Sequence, residues 1–267
     1  MVGVSWDRSV DRGDTVVKKW SWLLWLMLFV WVNVGLCAVQ FQAASEGATT
    51  SAAAQSLTFS HTVSAGDDLV LFASFTTGCV TACPAQDNGS ATFNGDAMTL
   101  VHHVRTTATH GLWLFMLVNP DVATGDVVFT LGGGEANQHM AGGAVSFTGV
   151  DQESPTGMLD SDNVGSAMTL TCTVTGVTDG MVLGVGAKND STEAFGVPAD
   201  ERWNEFSSSG GVAVNRANGG STEDVVGTHN FTFTSSANRA IKCIAVPINP
   251  AIEAAVNVSP LMILFGR

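Results

Sequence analysis

Beyond Cys37 the chain holds four cysteines, and these are the residues whose spacing most directly bears on chemistry. Cys79 and Cys83, in Cys79-Val-Thr-Ala-Cys83, are near enough to bridge within one loop. Cys172 and Cys243 each sit inside a run with apolar neighbours at alternate positions, where a bridge would lie in the core. Four cysteines allow three pairings, and the alternative for Cys172 and Cys243 is a pair of buried thiols. The Cys79/Cys83 spacing is one residue too long for a Cys-x-x-Cys redox motif.

The six histidines are His61, His102, His103, His110, His139 and His229. A hairpin joining Met98–Arg105 to Gly111–Val118 would bring His110 close to His102 or His103, the start of a zinc or copper site. Adjacent His102 and His103 must face opposite ways, however, and no nearby Cys or carboxylate completes a ligand set. Solvated hairpin histidines are the expectation. For calcium, Asp160-Ser-Asp162-Asn163-Val-Gly165 alternates oxygen ligands but lacks those expected at the fifth and twelfth positions. Asp67, Asp68, Asp87, Asn94 and Asp96 offer a second oxygen-rich set, and ordinary turn acids are the preferred reading of both. No cofactor is expected, calcium being the one possibility these residues raise.

Catalytic patterns are missing from the sequence. It has no Gly-x-Ser-x-Gly elbow, no His-Glu-x-x-His and no phosphate loop, and Glu193, Glu201, Glu205 and Glu223 show no glycosidase spacing. The expectation is therefore no enzyme. Tyrosine is absent, and only Trp113 and Trp203 lie beyond the first 31 residues. These two are the candidates for stacking on a sugar ring, a weak basis for glycan binding.

Charge narrows the partners further. The 11 basic and 24 acidic residues give −13, and only four basic and three acidic ones precede Gln40, so the remainder carries seven against 21. A surface that acidic excludes nucleic acid, whose phosphates need a basic face, and disfavours anionic lipid. Membrane contact is expected only through the N-terminal segment.

That segment, Trp20 to Val39, follows Lys18 and Lys19 and is interrupted only by Ser21 and Asn33. As a helix it matches a hydrocarbon core of ~30 Å. The basic residues before it and the acidic domain after it place the N-terminus in the cytoplasm and the domain outside. Gln42-Ala43-Ala44-Ser45 offers small residues for cleavage, so a cleaved signal peptide is preferred to a membrane anchor. The organisation read from the sequence is a cytoplasmic stretch (1–19), the export helix (20–39), a small-residue linker (40–56), a folded domain (57–250) and an apolar tail (251–267).

Within the domain, short β-branched and aromatic runs are punctuated by Gly, Asn and Asp. They are Leu57–Val63, Leu69–Thr76, Ala91–Phe93, Met98–Arg105, Gly111–Val118, Val127–Leu131, Met140–Thr148, Met168–Val174, Met181–Ala187, Gly211–Arg216, Asn230–Thr234 and Ala240–Ile248. A hairpin is expected between the first two, and Asn94-Gly95-Asp96 is expected to turn tightly. In Met168–Val174 the residues Met168, Leu170, Cys172 and Val174 share one face and three threonines the other. The fold class predicted is all-β, an antiparallel two-sheet sandwich of jelly-roll type.

Leu57-Thr-Phe-Ser-His-Thr-Val63, Thr92-Phe-Asn-Gly95, Leu112-Trp-Leu-Phe115 with Asn119-Pro120, and Val145-Ser-Phe-Thr-Gly-Val-Asp-Gln152 together resemble a secreted β-sandwich module of bacterial extracellular and surface proteins. The resemblance covers about Leu57 to Pro250 and implies an adhesive or structural role, with no site residues to carry over. The expected function is an exported, non-catalytic structural or binding module, with a glycan or a surface protein as partner. The alternatives are a glycan-binding module and a self-assembling subunit, a homo-oligomer formed through Leu261-Met-Ile-Leu-Phe265 of the tail.

Overall fold

The computed structural model describes residues 36–49, 55–79, 88–106, 110–132, 138–189, 195–196, 200–209, 212–223 and 226–252. Its strands are β1 (Leu36–Cys37), β2 (Gln40–Ala48), β3 (Ser56–Thr62), β4 (Val70–Cys79), β5 (Gly89–Phe93), β6 (Asp96–Ala97), β7 (Thr99–Thr106), β8 (His110–Val118), β9 (Thr124–Leu131), β10 (Gln138–Thr148), β11 (Asp160–Gly176), β12 (Met181–Asn189), β13 (Phe195–Gly196), β14 (Asp200–Ser209), β15 (Val212–Glu223), β16 (Gly227–Ile248) and β17 (Ala251–Ile252). All the ladders are antiparallel, so the all-β class holds. In place of two sheets, the described residues form three large ones and a two-stranded clasp.

The middle sheet runs β2-β10-β4-β8-β7. Its centre, β4, is the apolar Val70–Phe75 run, and period-2 alternation divides its side chains between two cores. Leu71, Ala73 and Phe75 join Trp113 and Phe115 of β8 against Leu57, Phe59, Phe93, Val127 and Phe129 of the sheet β3-β9-β5-β6. Val70 and Phe72, with Leu112, Leu114, Val145 and Phe147, pack on Leu183, Val185, Ile244 and Val246 of the sheet β11-β16-β12-β15-β14.

This layering corrects the hairpin expected between Leu57–Val63 and Leu69–Thr76. β3 pairs with β9, while β4 pairs with β8 and β10. The apolar faces of β3 and β4 meet face to face across a core, so the chain changes sheets at 64–68, with Asp68 in the left-handed region (φ 54). The Asn94-Gly95 turn forms as read, with φ of 51 and 95, and closes a two-pair hairpin between β5 and β6. The β7–β8 hairpin also forms.

The linker expected over 40–56 contains a strand. β2 has eight Cα partners on β10, and Phe41 packs its ring edge-on against Phe147. Its small residues are a packing requirement, since a Cβ at Gly47 would come within 2.7 Å of Phe59. Of the Trp20–Val39 run expected as an export helix, residues 20–35 lie outside the described residues. Leu36 and Cys37 pair with Ile252 and Ala251, and Val39 is buried, its N–H donating to the Asp179 carbonyl at 2.8 Å. Of the tail, 253–267 lies outside the described residues.

The longest strands, β11 and β16, fold back as one ribbon. Asp160–Val164 pairs with Ile241–Ala245, then the register shifts, and Thr169–Gly176 pairs with Gly227–Thr234. A straight strand would separate Asp160 from Thr173 by ~43 Å, yet the Thr173 N–H donates to Asp160 Oδ2 at 2.7 Å. The returning half lies on the outer face of β12, where Phe231 and Phe233 cover Gly184 and Gly186. A Cβ at either glycine would stand 2.3 or 2.4 Å from a ring carbon. Leu170, Cys172 and Val174 turn inward as the alternation requires, while Met168, at the bend, is 50% exposed.

Candidate functional site

The sequence-predicted residues disperse into structural positions. Cys172 on the returning half of β11 is bonded to Cys243 on β16, with Cα atoms 6.1 Å apart. The bond joins the folded-back layer to the sheet beneath it. Cys83 lies outside the described residues, so the Cys79 pairing does too.

Both tryptophans are core residues. Trp113 is 0% and Trp203 3% exposed. Trp113 lies against the His103 imidazole at 4.5 Å with the rings 12° from parallel, and against Phe129. Trp203 fills a slot between sheets whose walls are glycines, for a Cβ at Gly143 or Gly219 would come within 2.3 or 2.0 Å of its indole. Neither ring presents a face to a sugar, which removes the platform that glycan binding through these residues requires.

Asp160, Asp162 and Asn163 fall on strand β11, not in a loop. Asp160 is committed to Thr173, and Asp162 Oδ1 accepts the adjacent Asn163 N–H at 2.7 Å. Alternation along the strand turns Asn163 to the face opposite Asp160 and Asp162, so the three do not share one side, and the Asp160 and Asp162 carboxylates each already accept a backbone N–H. Among the other oxygen-bearing residues, Asp68 and Asn94 sit at positive φ in turns, and Asp87 lies outside the described residues. Among the described residues no three His, Cys, Asp or Glu side chains are placed to hold a metal ion.

The histidines separate likewise. His110 pairs with Thr106, His102 with Leu114 and His103 with Trp113, so the hairpin forms without gathering them. His102 Nε2 instead meets Ser161 Oγ of β11 at 2.9 Å, and His229 lies edge-on to Phe231. Burial lowers the pKa of both His139 and His229.

Two polar constellations inside the fold were missed in the sequence. The first is His61, which occupies the apolar face of β3 in the series Leu57, Phe59, His61, Val63. Its Nδ1 lies 2.8 Å from Ser45 Oγ of β2, and its Nε2 lies 3.2 Å from Ser146 Oγ of β10. The ring thus joins one sheet to the next. Desolvation lowers its pKa to about 4, so it is neutral at pH 7, one nitrogen donating and the other accepting. Its position in an apolar series was the available signal. A Ser-His contact is a nucleophile's geometry, but here the second nitrogen meets another serine instead of an orienting carboxylate, and His61 and Ser146 are sealed from solvent.

The second constellation lies between the middle sheet and the β16 sheet. Lys242, flanked in sequence by Ile241 and Cys243, is fully buried, and its Nζ has no hydrogen-bond partner among the described residues. Burial lowers its pKa to about 7. His110 is lowered to about 4, first by burial and then by the Lys242 charge. Lys188, also buried, lies on the other face of the sheet, with Nζ 3.4 Å from Ser235 Oγ. A buried amine near neutrality is the form that acts as base or nucleophile, but Lys242 has no solvent access.

On the surface, an open groove of ≈ 420 Å³ is lined by Asp151, Val177, Thr178, Asn249, Pro250 and Ile252, beside the β1–β17 clasp. No protein-family model, no curated protein and no solved structure matches this chain.

Proposed function

We propose that the chain is an exported, non-catalytic β module with a structural or binding role at the cell surface or outside the cell. The observation that carries this reading is the Cys172–Cys243 disulfide. A buried crosslink holding a folded-back layer on its sheet is a feature of proteins that mature in an oxidising compartment. The acidic composition and the basic flank before the apolar run support export in the same direction. Dispersal of the candidate polar residues into sheet-to-sheet contacts supports a role without catalysis.

The test is to express the full chain with its own N-terminus in a bacterial host and to map its cysteines by mass spectrometry under non-reducing conditions. The expected result is a Cys172–Cys243 linked peptide from protein outside the cytoplasm. Folded protein in the cytoplasm with both thiols free would overturn the reading.

A further inference from the structure

We propose that the outer face of the β11–β16 ribbon is an ice-binding surface, an uncharged threonine array whose repeat matches that of the oxygens on a face of ice. This goes beyond the module reading above and does not depend on where the chain resides. Along the folded-back layer the outward positions stand opposite each other in register, Thr169 with Thr234, Thr171 with Thr232, Thr173 with Asn230 and Thr175 with Thr228. Seven of these eight are threonine and none carries a charge, in a chain with 24 acidic residues. All are exposed except Thr232, which is partly buried.

Strand propensity favours threonine on a solvated face, but it does not keep charge and larger side chains out of one. The outer face of β3 and β9 shows the mixed outcome, with Thr58 opposite Val128 and Ser60 opposite Asp126. On the ribbon the polar side chains are also fixed toward one another. Thr171 Oγ1 and Thr232 Oγ1 lie 2.9 Å apart, and Thr173 Oγ1 donates to Asn230 Oδ1 at 2.7 Å. A hydroxyl that donates once keeps two lone pairs for water. The γ-methyls beside these hydroxyls give the same waters an apolar border.

Contacts to a water lattice are weak singly and hold only when many are made at once, so the array must be rigid. The inner face supplies that rigidity. Leu170, Cys172, Val174, Phe231 and Phe233 are buried beneath the threonines, and the Cys172–Cys243 bond ties the layer to its sheet. The two phenylalanine rings lie directly on Gly184 and Gly186. Each edge is engaged as well. Asp160 Oδ2 accepts the Thr173 N–H at 2.7 Å on one side, and β13 pairs with Thr234 and Ser235 on the other. In an antiparallel pair, outward residues recur every ~6.8 Å along a strand and ~4.8 Å across it, so the four rungs extend ~20 Å. Oxygens on a prism face of ordinary ice repeat on nearly the same rectangle. A neutral lattice also suits a neutral face, since charged side chains there would have to give up their own hydration.

The experiment bathes a single ice crystal, held just below its melting point, in the purified full chain, with buffer alone as the blank. Crystal shape and growth are followed under the microscope. The expected result is a faceted crystal whose growth stops over a measurable temperature interval. Thr171→Lys and, separately, Thr169→Lys should each abolish both effects, while Thr58→Lys on the outer face of β3 should leave them unchanged. A Cys172–Cys243 linked peptide recovered from each variant shows that the layer is still in place. A round crystal growing as it does in buffer overturns the inference, as does equal loss from Thr58→Lys, or full activity in both ribbon variants. Adsorption to microcrystalline cellulose without any effect on ice, lost in Thr171→Lys, would assign the face to a polysaccharide and overturn it too.

Discussion

Cys172 and Cys243 are 71 residues apart in sequence and covalently joined, because β11 and β16 double back and bring their inward faces together over β12. Removing the bond, by Cys172→Ser with Cys243→Ser, releases a long loop in the unfolded chain. By loop-closure entropy this costs about 4 kcal/mol. Urea unfolding of the double variant beside the parent is expected to show a lower midpoint, and the parent should fall to a similar value under strong reductant. A midpoint unchanged in both cases would show that the folded-back layer is held by Phe231 and Phe233 alone.

His61 makes stability depend on acid. Its pKa is about 4 in the fold, against 6.5 for an imidazole open to water, so the unfolded chain binds the extra proton between those limits. The stabilisation is complete above pH 6.5 and is lost as pH falls toward 4, on the order of 3 kcal/mol for this group. His110 acts in the same direction. His61→Gln retains a donor and an acceptor for Ser45 and Ser146 but does not titrate, so the loss between about pH 7 and 4.5 should shrink without vanishing. An identical slope in the variant would place the proton uptake elsewhere.

Lys242 gives the opposite mutational sign. Its pKa falls from 10.5 to about 7 on folding, so the fold loses stability as pH drops from 10.5 through 7. Lys242→Met fills similar volume without a charge. It is expected to raise the thermal midpoint at pH 7, with a larger gain at pH 6 and a smaller one at pH 10. A destabilised variant at every pH would mean that the ammonium has a counter-ion in solution.

Trp203 is expected to matter for stability and not for sugar recognition. Trp203→Ala should lower stability by about 3–5 kcal/mol, while Gly219→Ala, which places a methyl against the indole, should cost about 1–3 kcal/mol. Denaturant titration measures both. Loss of binding on a glycan array in a fully stable Trp203 variant would reverse the assignment.

The strands that alternate or run apolar were legible in the sequence, because burial of one or both faces writes itself into residue type. β4 and β8 are examples, and so is the Thr/Leu-Cys-Val alternation of β11. Besides the two-residue strands β1, β6, β13 and β17, two longer ones were not legible. β2 is composed of small and polar residues because β3 and β14 press close on it, so its composition reads as a linker. β14 alternates poorly, since Arg202, Asn204 and Glu205 surround the one large apolar anchor, Trp203. The pairing of strands was less legible than their existence. Leu57–Val63 and Leu69–Thr76 are equally good hairpin partners and facing-sheet partners by pattern, and only the third sheet decides between them. Of the candidate residues, the Cys172–Cys243 pair was legible from alternation. Of the weaker candidates, the sugar reading took Trp203 for a surface ring that the fold encloses, and the calcium candidate took Asp160 and Asp162 for loop residues that lie on a strand.

The clasp between β1 and β17 joins nearly the first described residue to the last, and Val39 takes its backbone partner from Asp179. A chain that emerges from a translocation pore N-terminal end first therefore cannot complete its architecture as it emerges. Its opening strand waits, unpaired, until more than two hundred further residues have passed. Such long-range closure is slow to nucleate, and under the export proposed above that delay would keep the polypeptide threadable until its far end arrived.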